Sequence, residues 1–183
     1  MSGNSSAKYR ESAMRDGTIL GLLWIATFAV SVVMFKSIDN GYGLVASFAT
    51  AVLSMMSPCM VYRLATRHRN NECGGTMTYG EAWLYVFIMY LCAIVLASLA
   101  QYIFYAFIDP HMFGDIIPVF VSFAKANNLP AESIELFAKM FETLENTGAA
   151  DKVISQLSGH ISRDIIITTF LAVAIRRTPE NNI

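Results

Sequence analysis

The sequence predicts an all-α membrane protein: four transmembrane helices, both ends on the cytoplasmic side, and an extracytoplasmic amphipathic helical hairpin between spans three and four. Three observations carry this. Of 183 residues, 55% are hydrophobic and only 15% charged, and the mean hydropathy is +0.46, which points to lipid rather than water as the solvent. The charges leave four long apolar stretches between them. The basic residues gather in three flanks that all fall on one side if the chain crosses four times.

Span one, 17–35, has about 19 residues without a charge, enough at about 1.5 Å per residue to cross a core roughly 30 Å thick. It is too long for the apolar part of a signal peptide. The residues after it, Lys36, Ser37, Ile38 and Asp39, lack a small-x-small cleavage pattern, so it is expected to be retained. Span two, 41–62, follows after a very short turn. Pro58 removes one backbone donor within it and crowds the carbonyl of Ser54, so a packing kink is expected.

Span three, 80–108, has about 27 uncharged residues, more than a bilayer requires, and should tilt or project. Thr78, Tyr79, Gly80 and Glu81 fit a capping box, which makes Glu81 a cap rather than an acid catalyst. Span four, 157–175, is the shortest apolar run. Only about 11 uncharged residues separate Asp164 from Arg176, so a full crossing must begin near Leu157 and carry Arg163 and Asp164 into or near lipid.

Between spans three and four, an outer segment over 112–148 reads as two short amphipathic helices. Asp115 is expected to cap the first, with Pro118 in its first turn and Ile117, Phe120, Val121, Phe123 and Ala124 on its apolar face. The second begins near Pro130, pairs Glu135 with Lys139, ends before Gly148, and turns Ile134, Phe137, Ala138, Phe141 and Leu144 to one side. Such faces need cover, and packing on their own protein is the expected solution over an outer leaflet or a partner.

Orientation follows from the basic flanks: Lys8, Arg10 and Arg15 before span one, Arg63, Arg67 and Arg69 after span two, Arg176 and Arg177 after span four. Positive residues in short flanks stay in the cytoplasm, so both termini are expected there. A formal net charge of -1 supplies no basic field for nucleic acid. The lipid bilayer is the partner the composition requires, with a protein partner or homo-oligomer as a further expectation.

Polar positions inside the spans form the candidate site. On span four, Gln156, His160, Arg163, Asp164 and Thr168 recur at steps of three or four and share a face; on span three, Ser98, Gln101, Tyr102, Tyr105 and Asp109 do the same. Counted from the cytoplasmic ends, Ser98 and His160 lie at similar depth, so the stripes are expected to be level in the outer halves of their helices. His160, Arg163, Asp164, Gln101, Ser98 and Tyr105 are the site residues this implies. They could bind an anion or relay protons, or they could equally be interfacial charges or an internal pair that orients the bundle.

Gly17 and Gly21, Ala46 and Thr50, and Ala93 and Ala97 each place small residues four apart, which permits close helix approach within one chain or between copies. Trp83, Tyr42, Tyr62, Tyr79 and Tyr85 lie near span ends as an interfacial belt would, whereas Trp24 reads as a packing residue. Cys59, Cys73 and Cys92 are expected to be reduced. Phosphate-loop, dinucleotide, metalloprotease and serine-hydrolase motifs are missing, His68 and His111 stand apart from other potential ligands, and no catalytic residue, metal or cofactor is expected.

The pattern resembles a bacterial four-span membrane family known only as a domain of unknown function, family 4199. The similar features are Arg15, Asp16, Gly17, Thr18, Ile19, Leu20 and Gly21 at the opening, Met77 to Ala82 at the entry to span three, Asn128 to Glu135 at the outer helix start, and Ala174, Ile175, Arg176 and Arg177 at the close. The resemblance implies a bacterial inner-membrane protein and brings no catalytic or binding residue with it.

The leading functional expectation is a non-enzymatic subunit or scaffold of a membrane assembly. The alternative is a small transporter or channel lined by the polar stripes of spans three and four. An enzyme at the outer membrane surface, using His160, Arg163 and Asp164, is a distant third.

Overall fold

Long uncharged stretches in a chain that must satisfy its own backbone groups become helices, and they do so in the computed structural model, which describes residues 2–37 and 42–177, with side chains for 8–37, 42 and 45–177. The turn joining the first two spans, residues 38–41, lies outside the described residues. The helices are α1 (Ser2–Lys36), α2 (Tyr42–Glu72), α3 (Tyr79–Ile103), α4 (Met112–Ala126), α5 (Ala131–Glu145) and α6 (Ala149–Ile175). Helices α1, α2, α3 and α6 are long and apolar enough to cross a membrane. Among the described residues there is no strand, only one backbone bridge in which Met77 and Arg177 exchange N–H···O bonds of 2.9 Å.

The helix ends show which local signals acted. At α3 the capping box forms: the Thr78 amide donates to the Glu81 carboxylate at 2.8 Å, and the Glu81 amide to the Thr78 hydroxyl at 3.3 Å. The helix then continues as a π-helical turn, Phe104–Ile108, closed by the Asp109 amide on the Phe104 carbonyl at 2.9 Å, before Pro110 ends it.

Two expectations about the outer segment change. Asp115 does not cap α4. The helix starts three residues earlier, behind His111, which offers no side-chain cap, and Pro118 therefore lies inside it. The reason is Glu145 of α5, whose carboxylate accepts the amide of Gly114 at 2.9 Å and meets His111 Nδ1 at 2.8 Å, filling the capping role from a neighbouring helix. Helix α6 begins at Ala149 rather than near Leu157, because Val153 and Lys152 bury themselves beside the outer helices, Lys152 over the Phe113 ring at 5.3 Å.

The chain forms two compact units. The first takes the described parts of Met1–Trp24, Met55–Ala97 and Leu157–Ile183. Its core surrounds α3, where Ala82, Tyr85, Val86, Met89, Tyr90 and Ala93 are buried at helical spacing with Leu20, Val61, Ala65, Ala172 and Ile175. Gly17 and Gly21 face α3 directly: a Cβ on Gly17 would sit 2.6 Å from the Met89 carbonyl, and one on Gly21 3.1 Å from Leu96. These glycines thus serve packing within the chain.

The second unit takes Ile25–Ser54 and Ser98–Gln156. Its core is aromatic: Tyr105, Phe113, Phe141, Met112, Ile116, Val32 and Val153 are buried, with Phe28, Phe35, Phe104 and Phe120 against them. The outer helices therefore cover part of their apolar faces on their own protein, with Phe141 buried and Phe137 left 42% exposed. Lys36 and Asp109 form an ion pair in the same unit.

Candidate functional site

The sequence-derived site residues fall into both units. In the first, His160, Arg163 and Asp164 form a chain of contacts: Arg163 donates to His160 Nδ1 at 2.6 Å and to Asp164 Oδ1 at 3.1 Å, and the His160 ring lies 5.4 Å from that of Trp24. Asp164 and Thr168 are buried, and among the described residues neither Asp164 Oδ2 nor the Thr168 hydroxyl has a hydrogen-bond partner. In the second unit Tyr105 is buried and accepts from the Gln156 amide at 3.3 Å, while Ser98 and Gln101 are half-buried.

His160 lies fifteen residues, about 22 Å, along α6 from Ile175, beside Trp24 in the first unit, whereas Ser98 belongs to the second. At the far end of α6, Arg69 of α2 donates to the carbonyl of Ile175 at 2.6 Å. Trp24 packs as expected, with its indole N–H on Ser57 at 3.0 Å and its ring 5.9 Å from that of Tyr90.

A denser polar cluster lies where the uncharged runs of α1 and α2 end, and sequence reasoning missed it. Asp16 of α1 is 0% exposed, and its partners converge from three directions. Tyr85 of α3 donates to Oδ2 at 2.9 Å; Arg67 of α2 reaches Oδ1 at 3.2 Å; Arg15 reaches the same oxygen at 3.5 Å. One turn earlier on α1, Ser12 meets His68 Nδ1 at 3.1 Å and donates to Glu72 at 3.2 Å. The His68 ring stacks on Tyr85 at 4.2 Å, and Tyr9 closes edge-on against both rings and donates to the carbonyl of Glu81.

His68 is thus far from isolated, and His111, paired with Glu145, is not isolated either. The signal that could have found the cluster is a repeated spacing: Ser12 and Asp16 on α1, His68 and Glu72 on α2, each four apart and each just outside an uncharged run.

Arg15, Asp16, Arg67, His68, Asn71 and Glu72 line an open cleft of about 400 Å³. Its floor is rigid, because a buried carboxylate that accepts from a phenol and two guanidiniums has little freedom left. Its rim is open: the Arg15 and Arg67 side chains are 60% and 53% exposed. Among the described residues, no three His, Cys, Asp or Glu side chains are placed to share a metal ion.

A family model described as a protein of unknown function, DUF4199, matches residues 15–177, nearly all of the chain. Neither a curated protein nor a solved structure matches it.

Proposed function

The chain belongs to the DUF4199 family, and on that footing we propose that it is a non-enzymatic, multi-pass protein of the bacterial inner membrane, termini in the cytoplasm, serving as a self-associating subunit or scaffold of a membrane assembly. One observation carries this reading. Along α2, Val45, Phe48, Val52, Met55, Cys59 and Tyr62 alternate in steps of three and four, and every one is exposed. That is the 3.5-residue repeat of a helix that packs knobs into holes against another, and α2 is the span least buried by its own chain, at 11% of its most apolar window. A second copy of the chain is the occupant that fits, because one such seam is complementary to itself about a two-fold axis.

The experiment uses the seam's own thiol. In native membranes, a variant keeping Cys59 but carrying Cys73→Ser and Cys92→Ser is oxidised with copper phenanthroline; a disulfide-linked dimer is expected, lost with Cys59→Ser and weakened by Phe48→Ala with Met55→Ala. A chain that stays monomeric under oxidation and in mild detergent overturns the reading.

A second reading is favoured by a different observation: Asp164 Oδ2 and the Thr168 hydroxyl, buried in a membrane-crossing helix without partners. Buried polar atoms in such a helix are expensive and mark pathways for protons or small cations. Transport by α6 predicts that Asp164→Asn or His160→Ala abolishes flux in proteoliposomes; unchanged flux in both removes its motivation.

A further inference from the structure

The cleft beside Asp16 has an ordered charge pattern, and its position in the chain gives the pattern a direction. Arg15 stands two residues before the uncharged run that opens at Gly17, and Arg67 is the cation nearest to it, tied through the shared Asp16 carboxylate. Asn71 and Glu72 lie one helical turn further along α2, about 6 Å more distant from the apolar run that ends at Tyr62. Arg15 and Arg67 therefore stand on the side next to the apolar boundary and Glu72 on the side away from it, where it also meets the Arg15 guanidinium at 3.7 Å. Two guanidiniums face two carboxylates, so the cleft is balanced overall.

A membrane phospholipid with an aminoethyl phosphate headgroup has the same order: phosphate at the apolar boundary, primary ammonium beyond it. We propose that the cleft is a binding site for this headgroup, with the phosphate on Arg15 and Arg67 and the ammonium on Glu72 and Asn71. The inference rests on the membrane-crossing helices and is independent of self-association.

Three features favour that chemistry. Arg67 meets Asp16 through one terminal nitrogen, and Arg15 is held by Asp16, Ser12 and Glu72 through Nε and one terminal nitrogen, so each guanidinium keeps a donor edge at the rim and both side chains stay more than half exposed. Glu72 is 28% exposed, reachable from the cleft while held by Ser12, Arg15 and His68. Asp16 has no exposure, so it orients the arginines without offering a carboxylate face to an incoming phosphate. A headgroup with net negative charge would meet Glu72 unfavourably, and a quaternary ammonium has no N–H to donate to Glu72 or to the Asn71 carbonyl oxygen.

The test is the thermal unfolding of the full, delipidated chain in detergent, followed by tryptophan fluorescence with added dioleoyl phosphatidylethanolamine, phosphatidylcholine or phosphatidylglycerol. Phosphatidylethanolamine at about ten times its dissociation constant is expected to raise the midpoint by about 3 °C more than either other lipid. Arg67→Gln is expected to erase that difference, and Arg63→Gln, outside the cleft, to keep it. Because Arg67→Gln also strips a partner from Asp16, Asn71→Trp provides a second blockade that fills the cleft; it is read as the difference between lipids on the same variant, and that difference is expected to vanish. Equal shifts from all three lipids, a difference that survives Asn71→Trp, or one lost equally in Arg63→Gln overturns the proposal. Soluble phosphoethanolamine giving the same shift at the same concentration overturns the lipid assignment in favour of a free solute.

Discussion

Asp16 is the residue on which the charged end of the first unit turns. It is fully buried, and its carboxylate joins α1 to α3 through Tyr85 and to α2 through Arg67. Asp16→Asn keeps the shape and an acceptor for Tyr85 but removes the charge that holds the guanidiniums. A hydrogen bond to a charged group contributes about 1.5–3 kcal/mol, and the half-exposed arginines place the loss at the lower end, about 1.5 kcal/mol. Tyr85→Phe should cost about 1 kcal/mol by deleting one donor. Because the two side chains share a bond, the double variant should lose less than the sum; strictly additive losses in thermal unfolding would show that the network does not act as a unit. The four-residue spacings of Ser12 with Asp16 and of His68 with Glu72 were legible, but their meeting was not. Arg15 and Arg67 were readable as flanking charges, but nothing in linear order says that residues near 12, 68 and 85 meet, since only the antiparallel packing of three helices brings them together.

Helix contacts give sharper expectations than composition, because distances rank substitutions that look alike. Gly17→Ala would press a methyl against the Met89 backbone at 2.6 Å and Cys92 Cβ at 2.8 Å, whereas Gly21→Ala meets Leu96 and Ala93 at 3.1–3.2 Å. The first should destabilise by about 3 kcal/mol and the second by about 1, as overpacking does when backbone rather than a flexible side chain must give way. Gly159 on α6 has nothing within 4 Å of its would-be Cβ, so Gly159→Ala should stabilise by up to about 1 kcal/mol through helix propensity alone. Thermal midpoints out of this order would mean that α1 and α3 are less closely packed than the glycines imply. In the outer pair, burial raises the proton affinity of Glu145, but its bonds with His111 and the Gly114 amide outweigh that and hold its pKa below the ordinary value of 4.5. A depressed carboxyl adds stability that is present above the unfolded pKa and is lost as pH falls through the folded one. Protection of the Met112, Phe113 and Gly114 amides, taken relative to intrinsic exchange at each pH, should therefore fall below about pH 4.5, and Glu145→Gln should be weakly protected at neutral pH with little further change on acidification. Protection there that ignores both acid and the substitution would show that Glu145 does not cap α4.

The number and placement of the long apolar helices were the most legible property, because the hydrocarbon core imposes one length on every span and excludes charge from each; the gaps between charges therefore located α1, α2, α3 and α6 to within a few residues at most apolar ends. The polar ends were read less well. Helix α1 continues outward to Ser2 and α2 to Glu72, well past the uncharged runs, since residues such as Ala13, Ala65 and His68 still find burial there. Span four was drawn too short for the mirror-image reason, its first turns being polar in sequence yet held by the aromatic core of the outer helices. The same asymmetry of charge that located the spans also predicts which face of the membrane each loop occupies. Basic flanks should hold Asn70, exposed near the end of α2, on the cytoplasmic side, and the acidic α5, with Glu132 exposed in its first turn, on the other. With all three cysteines replaced by serine, Glu132→Cys should react with a membrane-impermeant maleimide in intact cells, and Asn70→Cys only after the membrane is opened. Were both to label in intact cells, the chain would cross an odd number of times between α2 and α5 no longer, and α3 would have to be a surface or re-entrant helix despite its uncharged length.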